Sequence, residues 1–261
     1  MSAFKTEGLV KKQNSKNNVT RNETESRTMS LSLEHSWYCL EVVQAALFTG
    51  LCSTTFSNEH KIIKVALVHT NNLKRKFFGA GVTPIIYKPR IYTNDQVSST
   101  RIKLSNGEDS FEAGWMVNPN VFHDNESHLY ASFSAQGKGC INLQCPGFVQ
   151  VATDVALGMV PSAYSVIGGQ QLGWNLSIVK SEEDEYWWLF IGAEKKAIGY
   201  WPKELFIPLA LVASKVEWGG EIYDFGSNSS STPLPDMGNG LKARDEPPYY
   251  SGANYMLRML M

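Results

Sequence analysis

The sequence predicts an all-β fold, a sandwich or a barrel, and two observations carry that prediction. From Ile62 onward, short apolar stretches are broken by Gly, Pro, Asn and Asp, with 21 Gly and 11 Pro among 261 residues. Turn residues recur between many of these stretches at spacings of about ten, the rhythm of short antiparallel strands. No internal repeat of fixed period accompanies them.

Taken in order, the chain opens with a polar segment, residues 1–33, that has little to bury and reads as disordered. It carries two N-glycosylation sequons, Asn18-Val-Thr20 and Asn22-Glu-Thr24. Residues 36–52 read as a short amphipathic helix; they start too late for a signal sequence, and Glu41 interrupts them. Strands are expected at Ile63-Lys-Val-Ala-Leu-Val68, Thr83-Pro-Ile-Ile-Tyr87, Leu129-Tyr-Ala-Ser-Phe133 and Gly147-Phe-Val-Gln-Val151. Further strands are expected at Leu176-Ser-Ile-Val179, Tyr186-Trp-Trp-Leu-Phe-Ile191 and Lys196-Ala-Ile-Gly-Tyr-Trp201. One segment breaks the pattern. Pro202–Ala213 places Pro at a helix start with apolar residues along one face, which predicts a short helix that Pro208 shortens. The chain divides into an atypical, largely disordered segment, 1–60, and a domain, 61–261.

Composition narrows the function classes. With 24 Lys+Arg against 25 Asp+Glu the net charge is -1, so no field recruits nucleic acid. At 43% hydrophobic and 11% aromatic the chain can bury a real core. Four cysteines are too few to build a disulfide scaffold, and no apolar run reaches the roughly 18 residues of a membrane span. Residues 111–261 carry 16 acidic against 9 basic groups. An acidic body usually means only a solvated surface; the sharper reading is a protein working in acid, where many carboxylates are neutralised.

Familiar catalytic signatures are absent: no G-x-S-x-G, G-x-G-x-x-G, Walker loop, H-E-x-x-H or C-x-x-C occurs. His123-Asp-Asn-Glu-Ser-His128 has a spacing that suits neither a helix face nor a strand face and overlaps the sequon Asn125-Glu-Ser127, so it reads as an exposed loop. No metal and no cofactor are expected.

Two motifs set Glu beside Trp and Gly: Phe111-Glu-Ala-Gly-Trp115 and Val216-Glu-Trp-Gly-Gly-Glu-Ile222. Gly allows close approach of a backbone or a substrate, and Trp offers an apolar wall to a neighbouring carboxyl. Two carboxyls in differing environments are the minimum equipment for acid–base hydrolysis.

From about Lys64 to Leu257 the chain resembles the catalytic domain of the neprosin family, plant glutamic peptidases. The resemblance rests on Phe78-Gly-Ala80, Glu112-Ala-Gly-Trp115 leading into Val117-Asn-Pro119, and Cys140-Ile-Asn-Leu-Gln-Cys-Pro-Gly-Phe-Val-Gln150. It continues through Tyr186-Trp-Trp188, Gly199-Tyr-Trp-Pro202, Glu217-Trp-Gly-Gly-Glu221 and Met237-Gly-Asn-Gly240. The resemblance implies a sandwich of two large antiparallel sheets, with two catalytic glutamates in a groove across one of them. It also implies cleavage on the carboxyl side of proline in acid. Carried over, one glutamate is Glu112; the other is Glu221, with Glu217 as the alternative, since the two share a strand face and alternation does not separate them. An aromatic wall for the proline ring falls to Trp115, Trp218 or Tyr200. The resemblance further supports a disulfide between Cys140 and Cys145 and a secreted, glycosylated protein with five sequons, including Asn175-Leu-Ser177 and Asn228-Ser-Ser230. Cys39 and Cys52 lie outside the matched motifs.

The chain also departs from the family pattern. Residues 1–60 resemble neither a signal peptide nor a pro-domain, and family members continue past the segment matching Gly252–Leu260, so the domain is expected to be C-terminally incomplete. Gly81–Glu112 matches poorly, and Arg101-Ile-Lys-Leu-Ser-Asn-Gly107 stands where a strand should feed the first motif. The expected partner is a proline-containing peptide or protein. The alternative is a catalytically inactive sandwich that binds proline-rich or glycosylated extracellular proteins.

Overall fold

The computed structural model describes residues 28–31, 48–58, 61–70, 75–226, 232–241 and 255–260. In chain order the strands begin with β1 (Thr28–Leu31), β2 (Phe48–Asn58), β3 (Lys61–Thr70), β4 (Gly79–Val82), β5 (Gln96–Asn106), β6 (Asp109–Val117) and β7 (His128–Ala135). They continue with β8 (Lys138–Ile141), β9 (Val149–Gln150), β10 (Leu176–Lys180), β11 (Trp187–Ile191), β12 (Lys196–Trp201), β13 (Lys215–Asp224) and β14 (Tyr255–Leu260). One sheet runs β2-β3-β13-β5-β6-β7-β8 and the other β1-β14-β4-β10-β11-β12-β9, antiparallel throughout. The fold is therefore the all-β sandwich that the turn spacing predicts.

The core lies between the sheets and is built by alternation. The first sheet sends in Ile102 and Leu104 from β5, Phe111, Ala113 and Trp115 from β6, and Val216 and Trp218 from β13, all fully buried. The second sheet meets them with Leu176, Ile178, Trp187, Leu189, Ile198 and Trp201. Phe111 stacks on Trp201 at 4.8 Å between ring centres and meets Trp187 at 5.0 Å. Buried indoles also hold the connections: Trp115 donates to the Ile85 carbonyl at 2.9 Å, Trp187 to Leu209 at 2.9 Å and Trp218 to Gly81 at 3.2 Å.

Several expectations are revised. The strand expected at Thr83–Tyr87 sits earlier, at Gly79–Val82. Pro84 has no N–H for a ladder, and beyond Val82 only an isolated bridge, Ile85 to Gly173, remains. Residues 101–107, expected to lack a strand, are β5 and its turn, in the middle of the sheet. Arg101-Ile-Lys-Leu alternates polar outward and apolar inward, which is what a half-buried strand requires. The short helix expected near 202–213 is a 3-10 turn at Lys203–Leu205. Pro208 lacks a donor, and Asp109 Oδ2 takes the Ile207 and Leu209 N–H groups at 2.7 and 3.4 Å, holding Leu209 in the core. The helix expected over 36–52 lies mostly outside the described residues, and its end from Phe48 is in β2. The disorder expected for residues 1–33 also lies outside them, except that Thr28–Leu31 form β1.

Cys140 and Cys145 are joined by a disulfide that closes the loop after β8. Among the described residues no helix is long and apolar enough to cross a membrane.

Candidate active site

Strand β5 lies between β6 and β13, and the register of the three strands assembles the site. Across β5 and β6, Lys103 faces Glu112 and Arg101 faces Gly114. Across β13 and β5, Glu217 faces Lys103, Gly219 faces Arg101 and Glu221 faces Ser99. These residues share one parity on their strands, so they project from the face turned away from the core. The two glycines on either side of Arg101 are fixed by their surroundings. A Cβ on Gly114 would lie 1.9 Å from the Thr100 carbonyl oxygen, and one on Gly219, at φ +150°, 2.0 Å from that of Ala66. The glycines of both motifs thus serve close backbone approach and leave no side chain beside Arg101.

Glu112 and Glu221 converge on the Arg101 guanidinium. Arg101 Nε lies 3.1 Å from Glu112 Oε2 and donates to Glu221 Oε1 at 2.5 Å, and Nη2 also contacts Glu221 Oε1. A tyrosine closes each end. Tyr130 on β7 donates its hydroxyl to Glu112 Oε1 at 3.1 Å, and Tyr223 donates to Glu221 Oε2. Lys103 Nζ lies 3.9 Å from Glu112 Oε2. The centre of this chain is buried, with Arg101 only 3% and Glu221 5% exposed.

The charges support one another. Burial works against the Arg101 cation, but Glu112 and Glu221 outweigh it and hold its pKa above the ordinary value. Burial, joined by the charge of Glu112, pushes the Tyr130 hydroxyl up; burial and Glu221 do the same to Tyr223. Both hydroxyls therefore remain donors. Glu217 stands apart from the guanidinium bridge and pairs with Lys215 at 2.7 Å. Burial would raise its pKa, but the Lys215 hydrogen bond and the charges of Arg101, Lys215 and Lys103 bring it below the ordinary value.

The aromatic residues expected to flank the glutamates do not. Trp115 and Trp218 alternate to the opposite face and are fully buried in the core. Tyr200 is on the other sheet, where its ring meets Tyr186 at 5.0 Å and Trp188 at 4.8 Å. Among the described residues, Tyr130 and Tyr223 are on the glutamate face, with Phe225 stacked on Tyr223 at 5.6 Å and 46% exposed. Arg101, Tyr130 and Tyr223 are the contacts sequence reasoning missed; the strict alternation around Arg101 was the available signal. In the His123–His128 loop, His128 is held between Asp124 Oδ1 and the Gly158 carbonyl, each at 2.7 Å, and Asn125 is exposed. Among the described residues no cluster of three metal-ligating side chains occurs.

A family model described as neprosin matches residues 94–259, more than half of the chain. The matched segment begins just before β5 and includes Glu112, Glu217, Glu221 and the Cys140–Cys145 loop.

Proposed function

The chain belongs to the neprosin family, and we propose that it is a glutamic endopeptidase cleaving on the carboxyl side of proline in acid. The observation that carries this reading is the convergence of Glu112 and Glu221, from different strands, on one point of the sheet face away from the core. Glu221 rather than Glu217 is the second glutamate in this reading, because Glu217 is turned to Lys215.

Hydrolysis by such a pair needs no cofactor. One carboxylate takes a proton from water as the water oxygen attacks the scissile carbonyl carbon. The other, protonated, gives its proton to the amide nitrogen as the C–N bond breaks. The two carboxyls end with their roles exchanged, and one proton returns to solvent exchange before the next turnover. Tyr130 and Tyr223 hold the two carboxyl planes while this happens. Phe225, exposed and stacked beside Tyr223, is the apolar wall for the proline ring.

The Cys140–Cys145 disulfide suits an oxidising compartment, and the sequon residues Asn125 and Asn175 are both exposed. These features support export and glycosylation. Digestion of a proline-rich protein across the acid range, with the cut sites mapped by mass spectrometry, tests the reading. Cuts after proline that survive chelators and serine- and cysteine-directed inhibitors are expected; activity abolished by any of those reagents contradicts it. Phe225→Ala is expected to raise KM for proline substrates severalfold with kcat little changed, and an unaltered KM removes Phe225 from the role.

One observation favours a second reading, a sandwich that binds proline-rich or glycosylated extracellular proteins without cutting them. Arg101 occupies the place between the two carboxyls. That reading predicts a proline-rich peptide that binds and is recovered intact.

A further inference from the structure

The two glutamates meet through Arg101, and a guanidinium has five N–H donors and no acceptor. A carboxyl oxygen facing it has to accept. Glu112 is ion-paired to Arg101 Nε through Oε2 and accepts from Tyr130 on Oε1; Glu221 accepts from Arg101 on Oε1 and from Tyr223 on Oε2. All four carboxyl oxygens thus face donors, and buried guanidinium fills the space a shared water needs. The bridge is incomplete in one respect. Arg101 Nη1 is buried with no hydrogen-bond partner among the described residues, a donor that movement out of the bridge would satisfy.

We propose that Arg101 is a latch on the glutamate pair: its guanidinium holds both carboxylates against its charge and has to leave the bridge before water and a transferable proton can enter. This rests on the peptidase reading and adds to it a positioning residue that sets the resting state. The groups facing the latch are Glu112 from β6, Tyr130 from β7, and Glu221, Glu217 and Tyr223 from β13. Lys103 on β5 and Lys215 on β13 complete the cluster through Glu112 and Glu217. Three cations thus stand against three carboxylates, and a proton added to either bridged glutamate leaves the cluster positive. Acid opens the latch because a protonated carboxyl can no longer accept from Arg101 on the oxygen that carries the proton. Gly114 and Gly219, opposite Arg101 on its two neighbouring strands, place no side chain beside it.

The test replaces Arg101 with Gln, which has both donors and an acceptor and so can face one ionised and one protonated carboxyl. Peptide cleavage is measured from strong acid to neutrality for wild type, Arg101→Gln and Arg101→Lys, the last a cation that still has no acceptor. Arg101→Gln is expected to move the activity profile upward in pH, because an acceptor in place of the guanidinium lets one carboxyl carry its proton. Its kcat/KM in mild acid should then exceed wild type by roughly tenfold or more, while Arg101→Lys keeps the wild-type profile. A folded Arg101→Gln protein with an unmoved profile, or with no activity where wild type cuts, overturns the latch.

If none of the three proteins cuts at any pH, the peptidase reading fails instead, and the latch is judged by thermal unfolding. The gap in Tm between wild type and Arg101→Gln then narrows as pH falls through the carboxyl range; a gap independent of pH overturns the latch. An Arg101→Gln protein unfolded at neutral pH but folded in acid supports it, and one unfolded at every pH overturns it.

Discussion

Strands β5, β6 and β13 present two faces whose chemistries are opposite. Inward they send Ile102, Leu104, Phe111, Trp115, Val216 and Trp218, all with no exposure. Outward they send Arg101, Lys103, Glu112, Glu217 and Glu221. The inner face is stabilised by area removed from water and tolerates any well-fitting apolar partner. The outer face holds paired charges that are buried at Arg101 and Glu221 and half-buried around them, an arrangement that adds little stability for its cost and is fragile to loss of one member. A two-residue period therefore builds the core and the candidate site from the same strands, and it is the unpromising face, energetically, that carries the chemistry.

The largest expected effect lies inside. Trp218→Ala empties a fully buried position and removes the indole hydrogen bond to Gly81. A loss of about 3–5 kcal/mol in denaturant unfolding is expected; a loss under about 1 kcal/mol would mean that the inner face does not carry the fold. Gly114→Ala probes the junction of the two faces, since its Cβ has to displace the Thr100 carbonyl. A cost of about 1–3 kcal/mol is expected, together with loss of peptide cleavage as Arg101 shifts. Retained cleavage at wild-type stability would break the proposed coupling of backbone approach to the site.

The smallest effect is expected at the outer rim. Glu217→Gln removes the pair with Lys215, worth about 1 kcal/mol or less. Because Glu217 is held below its ordinary value of 4.5 in the folded chain, its contribution is present at neutral pH and lost as pH falls through that lowered value. The Tm of wild type should exceed that of Glu217→Gln at neutrality, and the two should coincide in strong acid. A gap that widens toward acid contradicts the assignment.

The same comparison explains what was legible in the sequence. The strands β7, β10, β11 and β12 show themselves as apolar runs because Leu129, Leu176, Ile178, Leu189 and Trp201 dominate them. In β4, two of four residues are glycine, and the sheet-forming signal is absent although the strand is buried. In β5 the charged residues needed by the site interrupt the apolar run, so a central strand read as a gap. Glu112 and Glu221 were reachable through their Gly-Trp motifs, and alternation places each on the face opposite Trp115 and Trp218. What alternation within one strand does not give is register, and register places Arg101 between the glutamates and Tyr130 beside Glu112, whereas Tyr223 follows Glu221 by two residues on the same strand.

The most direct test of the central claim compares a fluorogenic proline-containing peptide across the acid range in wild type, Glu112→Gln, Glu221→Gln and Glu217→Gln. Gln keeps the shape and a hydrogen-bonding amide but cannot ionise. The account predicts cleavage after proline by wild type and by Glu217→Gln, and none by folded Glu112→Gln or Glu221→Gln. Cleavage that persists in either of those two, or a folded wild type silent at every pH, would contradict it.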